Sequence, residues 1–118
     1  MPLSPQAVVN IAVQAAENKK AMDVTVLDIK AVSVIADYFV ICSGRTVTQV
    51  QAIVEKIQEE LKKEGVIAFG REGYREANWV LLDYGDVIIH VFQEAERQFY
   101  NLERLWGDAR VVPVPVNI

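Results

Sequence analysis

Residues 38–65, YFVICSGRTVTQVQAIVEKIQEELKKEG, decide how the rest of the chain is read. Tyr38 to Cys42 are apolar at every position, as a strand covered on both faces inside an α/β sheet requires. Gly44-Arg45-Thr46 then turns the chain, and the apolar period changes. Val47, Val50, Val54, Ile57 and Leu61 step by three and four, the spacing of one helix face. Thr46 with Gln49 makes a capping box, Glu59 and Lys63 form an i,i+4 pair, and Gly65 supplies a left-handed stop. Val66 to Phe69 reads as the next strand. Strand, helix and strand in so short a stretch predict a right-handed crossover and a parallel pair.

Towards the N-terminus, Ser4-Pro5 suits a helix start, because the serine hydroxyl accepts from a free backbone N–H and proline tolerates the first helical position. The helix is expected to run to about Ala21, with Val8, Ile11, Ala12 and Ala15 on one face and Lys19 and Lys20 where the dipole favours cations. Val24 to Ile29 reads as a strand, joined to the strand at Tyr38 by a loop through Ser33 and Asp37. Towards the C-terminus, the loop Gly70 to Glu76 precedes Asn78–Asp83 and Val87–Phe92, which Tyr84-Gly85-Asp86 links as an antiparallel hairpin. Glu94 to Trp106 returns to helical spacing, with Ala95, Phe99, Leu102 and Trp106 on one face, and Gly107 ends it. The prolines at 113 and 115 keep the tail extended, and it is expected to hang free. The order α-β-β-α-β-β-β-α predicts one α/β domain over residues 1–107, a mixed, mostly five-stranded sheet flanked by helices, with an extended tail over 108–118.

At 118 residues, 52% hydrophobic and 24% charged, the chain suffices for one globular core. No apolar run approaches the ~18 residues of a membrane span. The opening residues lack a basic, then apolar, export signal, and a single cysteine, Cys42, makes no internal disulfide, so a cytoplasmic protein is expected. Sixteen acidic against twelve basic residues give a net charge of −4, which repels phosphates and argues against direct nucleic-acid reading. One histidine and one cysteine do not make the usual four-ligand zinc site.

Chemistry-bearing constellations are few. Cys42 and His90 lie on strands and would make a thiolate–base pair if adjacent; the plainer reading is a buried thiol and a hydrogen-bonded sheet histidine. Asp23, Asp28, Asp37, Asp83 and Asp86 lack the two-apart spacing that aims two acids at one divalent ion. Gly44-Arg45-Thr46 opens a helix, where backbone N–H groups attract anions, but one glycine falls far short of a phosphate loop and the plainer reading is a capped strand-to-helix turn. Trp79, Leu81 and Asp83 share one strand face and Val80, Leu82 and Tyr84 the other. Trp79 fits either the core or a contact surface, while Asp83, Tyr84 and Asp86 are expected to be exposed around the hairpin turn, acids that would choose a basic partner. The residues alone point to a small binder and not to an enzyme.

Trp79-Val80-Leu81-Leu82-Asp83-Tyr84-Gly85-Asp86-Val87-Ile88-Ile89-His90-Val91-Phe92-Gln93-Glu94, followed by Arg97 to Trp106, resembles the Iojap family, the bacterial ribosomal silencing factors. Asp37 to Gly44 and Gly70-Arg71-Glu72-Gly73 fall where that family has its aspartate-led strand and glycine-glutamate-glycine loop, so the resemblance spans roughly residues 5–106. It implies docking on the joining face of the large ribosomal subunit, chiefly on ribosomal protein L-fourteen, with steric exclusion of the small subunit when nutrients are scarce. It also implies a nucleotidyltransferase-like sheet without catalytic acids, a homodimer in the free state, little direct nucleic-acid contact and no cofactor. By motif position the docking residues are Trp79, Asp83, Tyr84 and Asp86, with Tyr100, Glu103 and Trp106 as second choices. Glu72 and Gly73 either shape that surface or turn the chain. The rival readings are a magnesium-dependent nucleotidyltransferase-like enzyme using Asp83 or Asp86, and an assembly factor for the large subunit.

Overall fold

The computed structural model describes residues 3–100 and 109–112, with the side chains of 98–100 left aside. Ser4 caps α1 (Pro5–Asn18), its hydroxyl accepting from the Ala7 N–H at 3.1 Å. The helix stops three residues before the expected Ala21. Lys20 takes φ +62°, and the N–H groups of Lys20 and Ala21 return to the carbonyls of Glu17 and Ala16. This is a Schellman stop without its usual glycine.

β1 (Met22–Asp28) and β2 (Tyr38–Gly44) pair antiparallel, and all seven residues of β2 are buried. α2 (Val47–Lys63) follows as expected, capped by Thr46, whose hydroxyl accepts from the Gln49 N–H at 3.0 Å. The Gln49 amide also donates to the carbonyls of Lys19 and Lys20, tying the start of α2 to the end of α1. At the far end Gly65, at φ +79°, closes the helix with bonds from its own N–H and that of Val66 to Lys62 and Leu61.

Val66 to Phe69 is not a strand. The chain instead forms β3 (Gly70–Glu72), which pairs antiparallel with β4 (Trp79–Asp83), and β4 pairs antiparallel with β5 (Val87–Gln93). Among the described residues the one parallel ladder joins β2 to β5, so the crossover from β2 passes through α2, β3 and β4 before it lands. A four-residue apolar run after a helix stop is too short to distinguish a buried strand from a surface connection. After α3 (Glu94–Tyr100), Arg110–Val112 forms β6 against β1, so these residues of the tail join the sheet and do not hang free. Arg110 pairs with Asp28 both in register and through its guanidinium, at 3.1 Å. Among the described residues the sheet therefore has six strands in the order β3-β4-β5-β2-β1-β6, with the two short strands at its edges.

The pleat divides the core. Val26, Tyr38, Val40, Cys42, Val80, Leu82, Ile89 and Val91 pack with the inner faces of α1 and α2. Leu27, Phe39, Ile41 and Phe92 form a second cluster on the opposite face, with Trp79 and Ile88 against it.

Candidate docking surface

The expected docking residues divide among three environments. At the β4–β5 turn, the Asp83 carboxylate accepts from the Gly85 N–H at 2.8 Å, and Gly85 takes φ +80°, which glycine adopts without strain. The Asp86 carbonyl accepts from the N–H groups of Asp37 and Tyr38, fixing the β1–β2 loop beside this turn, while its side chain faces solvent. Tyr84 is not exposed as expected. It retains 9% of its surface, packs with the helix-side core, and burial pushes its phenol up to about 12. The position two residues beyond Leu82 keeps the inward phase of the strand, and that alternation outweighs the polar character of a turn.

The same end of the sheet carries apolar side chains of the connection formed by residues 66–69. Ile67 is 63% and Phe69 81% exposed, and the Phe69 N–H donates to the Asp83 carbonyl. A groove of about 340 Å³ runs between them and the start of α1, lined by Leu3, Pro5, Val66, Phe69, Tyr84 and Asp86 among others. Val34 and Ile35, in the neighbouring loop, are also exposed. Val66 and Ala68 are half-buried whereas Ile67 and Phe69 face out, an alternation that four consecutive apolar residues do not reveal in the sequence.

Trp79 lies at the other end of β4, roughly 13 Å from Asp83 at ~3.3 Å per residue, on the face away from α1 and α2. It is half-buried, stacks on Phe92 with centroids 5.1 Å apart, and donates its indole N–H to His90 Nδ1 at 3.0 Å. Phe39 meets the His90 ring edge-on at 4.7 Å. His90 is 4% exposed, and burial pushes its imidazole down to about 4, so it is neutral at ordinary pH. Cys42, in contrast, belongs to the helix-side cluster, and burial pushes its thiol up to about 12. The two side chains project from opposite faces, so the thiolate–base pair does not form.

Gly73 turns the chain. It takes φ +80°, and a Cβ placed there would lie 2.2 Å from the Trp79 carbonyl oxygen; Glu72 is exposed on the edge strand beside it. At Gly44-Arg45-Thr46, the N–H groups of Arg45 and Gln49 are taken by the Gln49 and Thr46 side chains, the pattern of a capped turn. Among the described residues no group of three or more His, Cys, Asp or Glu side chains is placed to hold a metal ion. Arg97, from α3, donates to the hydroxyls of Thr25 and Ser43 at 3.1 Å each and to the Asp23 carbonyl, holding α3 to β1 and β2. The Tyr100 side chain, Glu103 and Trp106 lie outside the described residues.

The described residues thus form a small mixed α/β domain whose notable surface is an acidic turn edged with exposed apolar residues, plus a half-buried tryptophan. The family model described as "Ribosomal silencing factor during starvation" matches residues 2–117. The chain belongs to this family of ribosomal silencing factors. It is 46% identical over 110 residues to a ribosomal silencing factor of Halalkalibacterium halodurans, covering 93% of this chain and 94% of that protein. The corresponding protein of Bacillus subtilis is 45% identical, with 91% of each chain covered. A crystal structure of a protein from Chromobacterium violaceum superposes with a TM-score of 0.87 at 34% identity, covering 89% of this chain and 88% of that one.

Proposed function

We propose that the protein silences ribosomes by occupancy: it docks on ribosomal protein L-fourteen at the joining face of the large subunit and excludes the small subunit when nutrients are limiting. Membership of the silencing-factor family over residues 2–117 carries this reading. In it the protein works in the cytoplasm, is a homodimer when free, touches little nucleic acid, and retains a nucleotidyltransferase-like sheet without the catalytic acids. Trp79 and the turn residues Asp83 and Asp86 contact the partner; Tyr84 supports the turn from beneath, and Phe69 and Ile67 add apolar area beside Asp86. The exposed acid beside apolar side chains suits a basic protein surface and disfavours bare phosphate, as does the net charge of −4.

Size is sufficient. A standard interface takes ~800 Å² from each partner, about one-eighth of the 6731 Å² this chain exposes. A wedge of this kind needs tight binding and no turnover; a Kd of ~10 nM corresponds to about −11 kcal/mol.

The test mixes purified protein with both ribosomal subunits and measures the yield of whole ribosomes. Stoichiometric protein lowers that yield, and Phe69→Ala with Asp86→Lys, both exposed, restores it while leaving the melting temperature nearly unchanged. An undiminished yield with the unaltered protein refutes the wedge. Silencing retained by the double variant removes the turn from the contact.

A further inference from the structure

The contact between Trp79 and His90 fixes a proton as well as a ring. His90 Nδ1 accepts from the indole, so the imidazole proton sits on Nε2, and Nε2 is buried without a hydrogen-bond partner. A buried donor left unpaired lowers stability. The surroundings on this face, Phe39, Ile41 and Phe92, would accept a phenylalanine at position 90 without that loss. What the imidazole does and a hydrocarbon does not is accept the indole N–H. Trp79 is half-buried and lies on Phe92 at an interplanar angle of 25°, a contact that holds the plane of the indole without choosing which edge points outward. The bond to Nδ1 is directional and favours one edge.

The geometry points to His90 as a positioning residue: from beneath the surface it fixes which edge of Trp79 faces the partner, and so sets the shape of the docking surface without touching what docks. This rests on the reading that Trp79 belongs to that surface.

Three variants and one spectroscopic signal test it. In the unaltered protein the Trp79 indole N–H resonance, identified by its loss in Trp79→Ala, is shifted and exchanges slowly because it is hydrogen-bonded. His90→Phe removes the unpaired Nε2 donor but leaves the indole N–H without this acceptor, so it melts close to the unaltered protein, loses that signature, and co-sediments with large subunits about tenfold more weakly. His90→Asn, whose Oδ1 stands near the position of Nδ1, melts lower yet keeps the signature and binds within about threefold. Stability and binding then rank in opposite orders, which a merely structural role does not produce. An indole signature unchanged in His90→Phe overturns the positioning role whatever the binding, as does His90→Phe binding at full strength while Trp79→Ala binds poorly. Full binding by Trp79→Ala overturns instead the docking role of Trp79 on which the inference rests.

Discussion

On the side of α1 and α2 the sheet presents Val26, Val40, Val80, Leu82, Ile89 and Val91, each at 0% exposure, to helix residues such as Val13, Ile53 and Ile57. On the other side the same strands present Leu27, Phe39, Ile41, His90, Phe92 and Trp79, and α3 is fastened there through Arg97 to hydroxyls and a backbone carbonyl. Non-directional burial holds the first face; on the second, the burial of Leu27, Phe39, Ile41 and Phe92 is joined by directional polar contacts. Dispersion packing fixes how much area is hidden, but a half-buried ring that must show a particular edge needs a hydrogen bond to orient it.

Tyr84 gives the largest expected effect, because it stands where the helix-side core reaches the turn. Tyr84→Ala removes a nearly buried aromatic ring and is expected to destabilise the protein by about 4 kcal/mol in chemical denaturation. Tyr84→Phe keeps the ring and should cost under about 1 kcal/mol. Equal and small losses in both would mean that Tyr84 lies outside the helix-side core, and would erase this boundary between the two faces. Loss of ribosome docking by Tyr84→Ala would therefore report on folding, whereas Asp86→Lys reports on the surface.

Acid distinguishes the faces next. His90 is lowered from 6.5 to about 4 by burial, so the unfolded chain takes up its proton first as pH falls. Stability from the neutral, buried ring is complete above about pH 6.5 and is lost progressively towards pH 4, in total roughly 3 kcal/mol. The helix-side face offers Cys42, pushed up to about 12, which does not titrate in that window. Measured between pH 6.5 and 5, the unaltered protein is expected to lose stability more steeply than His90→Phe. Parallel slopes would mean that the aromatic face titrates no differently from the helix-covered one.

What was legible in the sequence follows the same physics. β2 and α2 were readable because their periods are unambiguous over whole elements, and the β4–β5 hairpin because Gly85 leaves little choice of turn. β3 and β6, three residues each, were not: both are too short for their exposed residues to show an apolar alternation, and β6 in addition pairs with β1, distant in sequence. For the site, the division of β4 into a Trp79 face and a Leu82 face was correct from the pleat alone. The burial of Tyr84 and the exposure of Phe69 depend on how the chain leaves the sheet, which periodicity does not record. The link from Trp79 to His90 crosses two strands and needs their register.

The ends of α1 and α2 isolate the smallest of these effects, on the face that burial holds. Both helices stop with the same pair of backbone bonds and a left-handed residue, Lys20 at φ +62° and Gly65 at φ +79°, yet only the glycine announced itself in sequence. A side chain in that conformation brings its Cβ against the following carbonyl, whereas glycine avoids the contact but carries more unfolded-chain entropy. The net difference favours glycine by about 1 kcal/mol. Lys20→Gly is therefore expected to raise stability by that amount, its carbonyl still accepting from Gln49, and Gly65→Ala to lower it similarly, since a Cβ there meets no neighbour within 4 Å and the strain is conformational alone. Thermal melts of the two variants should move in opposite directions. If both fall, the Lys20 side chain contributes to the cover over the helix-side face, and that face is not held by apolar burial alone.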